Sequence, residues 1–464
     1  MTGVEVPDTA AAASPLGGRR MAQDATTAFA VQIMSYATGL VASVLIARAL
    51  GPTDRGIYAV AVTAASIAVV AFHAGTELAG SYFFAERKTP LAALSRNGFL
   101  SAVLLGPLAM VAMLVLYGLT HASLFDGLSL ALFACAVLSV PFQMHQLWLA
   151  NLLMLAGRFR AYQRVSAIVA VVQLLVVCVV FASGAFDLTA ALAVYLAVAI
   201  GAWALCMRAA RGVGPVGPPY DLALLGATLR YGLRLHGGYI GWFVLLRLDL
   251  FLVALWLDAE AAGIYAIAVV FAELAWQLTT PLVLAAIRPQ MALPTDEAAR
   301  VSFQVARVNL LLSSIVAVGF AATLWFVLPI LYGSAYDGVY LVTVVLLPGV
   351  VAMASFRPLY NWLVRVAAPL RLSALCLVVA AVNVGMNALW LRSLGVAGAS
   401  LASSACYAGL LLATARWASL RSGIPMRTLV PRVGDVHTVV RNLKEMVRAV
   451  RARRGVPQDA PGVD

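Results

Sequence analysis

The sequence predicts an all-α integral membrane protein of about twelve transmembrane helices, arranged as two six-helix bundles. Three observations carry this expectation. Hydrophobic residues make up 62% of the chain and charged residues only 11%, whereas a soluble domain is about a quarter charged. Apolar runs near the length needed to cross a bilayer core, about 20 residues, occur at 27–49, 57–84, 94–118, 128–151, 165–183, 189–207, 237–257, 263–287, 303–331, 341–363, 372–391 and 397–416. The segment Gly56-Ile57-Tyr58-Ala59-Val60-Ala61-Val62 returns 207 positions later as Gly263-Ile264-Tyr265-Ala266-Ile267-Ala268-Val269. That period is too long for a solenoid repeat. It marks two related membrane halves flanking a central pathway.

Residues 1–26 are rich in Ala, Pro and Gly and predict a disordered cytoplasmic N-terminus. Arg19-Arg20 reads as a basic flank to the first span, because the run that follows is too long for a signal-peptide core and no small-residue cleavage site follows it. Six spans at 27–207 form the first bundle. The segment 208–236 holds Gly212, Gly214, Pro215, Gly217, Pro218 and Pro219, which break any helix and mark a cytoplasmic linker. Six more spans at 237–416 form the second bundle. An even number of spans per half means that both halves enter the membrane in the same direction, related by an axis along the membrane normal. In the tail, 417–464, Val436, Val439, Val440, Leu443, Val447 and Val450 recur at helical spacing, with Arg441, Lys444, Arg448 and Arg451 on the other face. This predicts a basic amphipathic helix suited to an anionic inner leaflet.

The net charge of +12 is distributed as a topology record and not as a nucleic-acid footprint. With the N-terminus in the cytoplasm, Arg and Lys gather in the even-numbered loops and the tail, and the outer loops keep only Arg48, Arg55 and Arg392. The positive-inside rule then places both termini in the cytoplasm. The five cysteines all fall within apolar runs, without metal-ligand spacing, and read as small packing residues. No phosphate-binding loop, zinc motif or nucleophile elbow is present. The outer loops are short, and their polar pair His121 and Asp126 suits a solvated turn. The chain is therefore expected to be a membrane transporter and not an enzyme, without a cofactor.

Several segments resemble one family. Ile46-Ala47-Arg48-Ala49-Leu50-Gly51-Pro52-Thr53-Asp54-Arg55-Gly56-Ile57-Tyr58 resembles the first-loop pattern of the oligosaccharide and polysaccharide flippases, the polysaccharide biosynthesis proteins of the multidrug/oligosaccharidyl-lipid/polysaccharide exporter superfamily. His73-Ala74-Gly75-Thr76-Glu77-Leu78 with Tyr82-Phe83 is similar to the end of their second helix. Gly157-Arg158-Phe159-Arg160-Ala161-Tyr162 resembles their basic loop after the fourth. Arg247-Leu248-Asp249-Leu250 resembles their seventh-helix segment, and Leu394-Gly395-Val396-Ala397-Gly398-Ala399 their final turn. The resemblance implies a V-shaped pair of bundles working by alternating access in a bacterial plasma membrane. It implies as substrate a polyprenyl-diphosphate-linked oligosaccharide, moved to the outer leaflet for exopolysaccharide synthesis, and as partners membrane lipids, a polysaccharide polymerase and glycosyltransferases. Twelve spans differ from the fourteen of the peptidoglycan-precursor branch. The absence of an acid in residues 27–47 departs from the drug-extruding branch, although a cation-coupled small-molecule antiporter of the same superfamily is the competing reading.

A charge at mid-membrane costs at least about 2.5–3.5 kcal/mol, so each one needs a reason. Arg247 and Asp249 are two residues apart, about 200° around a helix, and are expected to face different walls. Arg247, Arg357 and Arg48 are the candidate substrate-binding residues. A guanidinium fork can grip diphosphate oxygens in bidentate fashion, although Arg247 could equally lock its helix through an internal ion pair, and Arg48 could simply anchor a helix end. Pro358, next to Arg357, is expected to kink its helix and expose a carbonyl. Glu77, Asp249 and Glu273 are the candidate ion-coupling acids, with neutralisation of a cavity arginine as the alternative role. His73 and the polar groups Gln32, Gln143, His145, Gln146, Asn151, Gln173, Gln277, Asn309, Asn383 and Asn387 accompany them within the spans.

Overall fold

The computed structural model describes residues 15–367, 369–432 and 434–435. The described residues are helical, in the order α1 (Pro15–Phe72), α2 (Thr76–Ala85), α3 (Leu91–Thr120), α4 (Leu130–Val137), α5 (Val140–Leu155), α6 (Phe159–Ala182), α7 (Leu188–Ala209), α8 (Leu222–Trp256), α9 (Ala259–Gln277), α10 (Thr280–Ala292), α11 (Thr295–Tyr332), α12 (Val339–Val366), α13 (Pro369–Leu394) and α14 (Val396–Ser422). Eleven stretches among them are long and apolar enough to cross a membrane. The first, Phe29–Ala85, runs for 57 residues, about 85 Å at 1.5 Å per residue, which exceeds two bilayer cores. It is interrupted at Gly51, whose φ of 71° and ψ of 175° leave the helical region just before Pro52. Two spans therefore run end to end there, and each predicted span coincides with a helix or a broken pair of helices.

The breaks follow local chemistry. The fourth span divides between α4 and α5 at Ser139, whose hydroxyl donates to the Ala136 carbonyl at 2.6 Å, with Pro141 following in the first turn of α5. The eighth divides between α9 and α10, where the hydroxyls of Thr279 and Thr280 both donate to the Trp276 carbonyl at 2.9 and 3.2 Å. Four helix starts are capped by side chains. The Ser129, Asp187, Asp221 and Asp258 side chains accept from the Leu132, Ala190, Leu224 and Ala261 amides, at 3.4, 2.7, 2.9 and 2.7 Å. Such a cap is worth about 1 kcal/mol.

Two expectations need correction. The predicted N-terminal disorder does not extend to residue 26, because α1 already begins at Pro15. Pro at a first helical position is pre-set for the helix, and Arg19, Arg20, Met21, Ala22 and Gln23 are good helix formers. Pro358 does not leave an exposed carbonyl. It lies inside an unbroken α12, and the Ala354 carbonyl it cannot bond accepts from the Asn309 amide at 2.6 Å. The amphipathic segment Val436–Val450 lies outside the described residues.

Contacts group the chain into two compact units. One comprises residues up to Leu274 with Ala321–Leu347 and Ala367–Cys406. The other comprises Ala275–Phe320, Pro348–Val366 and Tyr407 onward. This grouping is by packing and cuts across the two repeat-defined halves. In the second unit, Arg307 on α11 pairs with Asp435 at 2.7 Å, joining the chain beyond α14 to that helix.

Within the first unit the two repeat copies meet. A Cβ on Gly56 would overlap the Ala259 carbonyl, and one on Gly263 would overlap the Pro52 carbonyl. Each glycine thus faces the backbone four residues ahead of the other glycine, in a reciprocal arrangement. Only residues without a side chain allow helix backbones this close. Beside it, Tyr336 donates its hydroxyl to the Ala47 carbonyl at 2.9 Å.

Candidate functional site

The apolar stretch His236–Trp256 makes α8 a span, and the two charges within that stretch, Arg247 and Asp249, point apart as the helical period requires. Arg247 meets Glu273 of α9 through two parallel bonds, Nη1–Oε1 at 2.8 Å and Nη2–Oε2 at 3.2 Å. The pair is only partly buried, with side-chain exposures of 31% and 21%. A planar fork matched to two carboxylate oxygens in this way is equally matched to two phosphate oxygens.

Asp249 is 1% exposed. Its carboxylate accepts from the Tyr265 hydroxyl at 3.0 Å, from the Asn387 amide at 3.2 Å, and from the Ser403 hydroxyl in a short contact. The Asn387 amide also donates to Asn383 Oδ1 at 3.0 Å. Asn387 Oδ1 is buried without a partner among the described residues. The result is a cluster of side-chain oxygens around one carboxylate, supplied by α8, α9, α13 and α14. Oxygen sets of this kind suit a hard cation or a proton.

Glu77, in the first turn of α2, lies four residues after His73 in the non-helical break between α1 and α2, with Oε2 3.0 Å from His73 Nδ1. The Gly75 amide reaches the same nitrogen at 3.0 Å. An amide can only donate, so Nδ1 accepts there. The His73 ring lies edge-on to His236 at 4.5 Å between centroids, and His236 Nε2 donates to the Val70 carbonyl at 2.6 Å. Glu77 therefore faces a histidine pair.

In the second unit, Arg357 donates to Thr280 Oγ1 at 3.0 Å and stands over the Trp276 ring at 5.6 Å, a cation–π distance. Arg48 in the first unit is exposed and donates from Nε to the Leu331 carbonyl at 2.7 Å and from Nη2 to the Ile330 carbonyl at 2.6 Å. These are orphan acceptors at the C-terminus of α11, where a cation is favoured.

Of the six predicted residues, the structure joins Arg247 with Glu273 and leaves Asp249, Glu77 and Arg48 in separate settings of the first unit. Sequence reasoning did not connect Tyr265, Ser403 and Asn387 to Asp249. The spacing of Asn383 and Asn387, one helical turn apart, was the available signal. Arg55, expected in an outer loop, is 8% exposed and stands over the Tyr58 ring at 5.3 Å.

The arrangement is that of a polytopic helical membrane protein with the fold of the multidrug/oligosaccharidyl-lipid/polysaccharide exporters. An inward-facing multidrug resistance MATE family transporter of the MOP superfamily superposes with a TM-score of 0.69 at 10% identity, over 86% of this chain and 98% of that one. The lipid II flippase MurJ, in an inward closed conformation, gives a TM-score of 0.63 at 14% identity, over 88% and 89%. No curated protein matches the sequence. The family model described as "Polysaccharide biosynthesis protein" matches residues 21–293, more than half of the chain, and the protein belongs to that family.

Proposed function

We propose that this protein moves a polyprenyl-diphosphate-linked oligosaccharide from the inner to the outer leaflet of a bacterial plasma membrane, by ion-coupled alternating access, in polysaccharide synthesis. The observation that carries the reading is the partly exposed bidentate pair Arg247–Glu273 between the membrane spans of α8 and α9. A glycan and a diphosphate are strongly hydrated, and crossing hydrocarbon unaided is prohibitive. Arg247 offers the diphosphate a fork already shaped by a carboxylate. Glu273 holds that fork when substrate is absent and displaces the head group at release. Family membership supports the substrate class.

In this reading Asp249, with Asn387, Asn383 and Ser403, takes the coupling ion, and Glu77 with His73 and His236 is a second place for a proton. Arg357 is the supporting cation of the other unit. Both termini face the cytoplasm, and the partners are the lipid-linked glycan, membrane lipids, a polymerase and glycosyltransferases.

The test reconstitutes the protein in vesicles with a fluorescent polyprenyl-diphosphate oligosaccharide and scores leaflet accessibility. Losing a charge-assisted hydrogen-bond pair costs about 1.5–3 kcal/mol, so Arg247→Ala should slow transfer about 10- to 100-fold. Arg247→Lys, a point charge without the fork, should fall between the two. Transfer at the wild-type rate in Arg247→Ala would overturn the assignment.

Arg48 acts as a helix anchor. Its carbonyl partners lie where water can replace it, so Arg48→Ala should cost under about 1 kcal/mol of thermal stability and leave transfer within a few-fold of wild type. A loss as large as that of Arg247→Ala would restore Arg48 to the binding site.

A further inference from the structure

The first unit contains a cavity of about 500 Å³ whose wall sets polar side chains among apolar ones such as Val69, Leu147 and Phe243 and carries no charged residue. Its polar lining comes from α1 (Ser35, Thr38, Ser66), α5 (Gln143, Gln146) and α6 (Ser166, Gln173), with Tyr162 and Tyr239 at its sides. A smaller cavity of about 220 Å³ shares Gln143, Gln146 and Gln173 and adds Tyr58 and Tyr195, again without a charged residue. Combined, they fall in the size range of small-molecule sites.

The hydrogen-bonding character of the wall is specific. Ser35, Thr38, Ser66 and Ser166 spend their hydroxyl protons on carbonyls of their own helices, Val31, Met34, Val62 and Tyr162, at 2.9, 2.9, 2.9 and 3.2 Å. Their oxygens therefore face outward as acceptors. Gln143 is fixed in orientation, donating to Ser139 Oγ at 2.7 Å and to the Tyr195 hydroxyl at 2.8 Å. Among the described residues, no hydrogen bond engages the amides of Gln146 and Gln173. Each offers a donor pair and an acceptor side by side. Half-buried amides in a membrane span carry a desolvation cost that only a bound polar partner or water recovers.

We infer that this cavity is a subsite for a neutral sugar residue of the transported glycan. A sugar presents a ring of hydroxyl groups, each of which donates and accepts. That matches a wall with four acceptor hydroxyl oxygens and two open amides. A phosphate or carboxylate only accepts, and finds here few donors and no cation. A cationic drug finds no acid. An apolar ligand leaves the glutamines unpaired. The faces of Tyr162 and Tyr239 suit the apolar C–H face of a pyranose. The inference rests on the flippase reading, since it divides the head group: diphosphate to Arg247, sugar to the glutamine wall.

The experiment uses the full chain in lipid nanodiscs and photo-crosslinking with mass-spectrometric mapping. One probe is a short-chain polyprenyl-diphosphate disaccharide bearing a diazirine on its terminal sugar. The others are free disaccharides with the same diazirine, a neutral panel (hexose and N-acetylhexosamine) and a uronate-containing counterpart. The expected result is saturable labelling between Gln143 and Ala150 and between Tyr162 and Gln173 by the neutral probes, with the uronate at least tenfold weaker. Gln146→Leu with Gln173→Leu should remove that labelling while leaving affinity for a sugar-free polyprenyl diphosphate within twofold. Labelling confined to other segments, or unchanged in the double variant, overturns the subsite and leaves the flippase reading standing. Labelling in the cavity by free sugars without leaflet transfer of the lipid overturns the flippase reading and leaves the subsite. Absence of saturable labelling by every probe overturns both.

Discussion

Asp249→Asn should reduce gradient-driven transfer to the level seen without a gradient while the protein remains folded and inserted. The reasoning is one of donors and acceptors. The three groups nearest the carboxylate, the Tyr265 hydroxyl, the Ser403 hydroxyl and the Asn387 amide, all point protons at it. An asparagine in its place turns one of its two acceptors into a donor, and a donor facing donors leaves buried groups unpaired at about 1–3 kcal/mol. It also removes the sole negative charge that could hold a cation within this cluster. The measurement is leaflet transfer in vesicles with an imposed proton or sodium gradient, alongside size-exclusion elution to verify folding. Wild-type protein should respond to one of the two gradients by at least about tenfold and the variant to neither. Asn387→Leu should give a milder form of the same defect, since it removes one donor and the buried Oδ1. A full gradient response in Asp249→Asn would move coupling to Glu77 or Glu273.

Gly56→Val and Gly263→Val should each abolish the close contact of the two repeat copies and with it most of the transport. The side chain has nowhere to go. Its first carbon already overlaps a carbonyl of the opposing backbone, which cannot rotate aside as a flexible side chain can. Overpacking at such a point costs about 1–3 kcal/mol. A conformational equilibrium loses about tenfold in population for every 1.4 kcal/mol, so transfer should fall about 5- to 100-fold. The direct measurement is a distance distribution between spin labels at Thr53 and Glu260. It should be short and narrow in the wild type and shifted to longer distances in either variant. Because the contact is reciprocal, the double variant should be little worse than either single one. Additive losses would show that the two glycines act independently.

Much of the fold was legible because a span is written in its own residues. Every apolar run from 27–49 to 397–416 holds helix, whereas the linker expected at 208–236 is non-helical only over 210–221, because α8 already begins at Leu222, capped by Asp221. What was less legible is where a span breaks. Ser139 and Thr279 do so through hydroxyl bonds to the preceding turn, and the same residues sit elsewhere in intact helices. The candidate charges were also visible, since each stands out against hydrocarbon. Their partners were not. Glu273 was recognised as an acid but not as the mate of Arg247. Ser403 and Asn387 lie far along the chain from Asp249, and periodicity gives the face of a helix but not its neighbour. Arg48 is held by main-chain carbonyls, which every residue carries and which no sequence pattern announces. The duplicated Gly-Ile-Tyr segment was plain, but its packing against its own copy was not.

The bond from Asn309 to the Ala354 carbonyl has a mechanical consequence. A proline inside a helix ordinarily weakens the rod, because the acceptor one turn back loses its mate. Here α11 lends the missing proton, so the stiffness of α12 at Pro358 is borrowed from a neighbour and lasts only while the two stay in register. A sliding of one helix by a single turn would withdraw the loan, and a stiff segment would become an articulated one without any change of covalent structure.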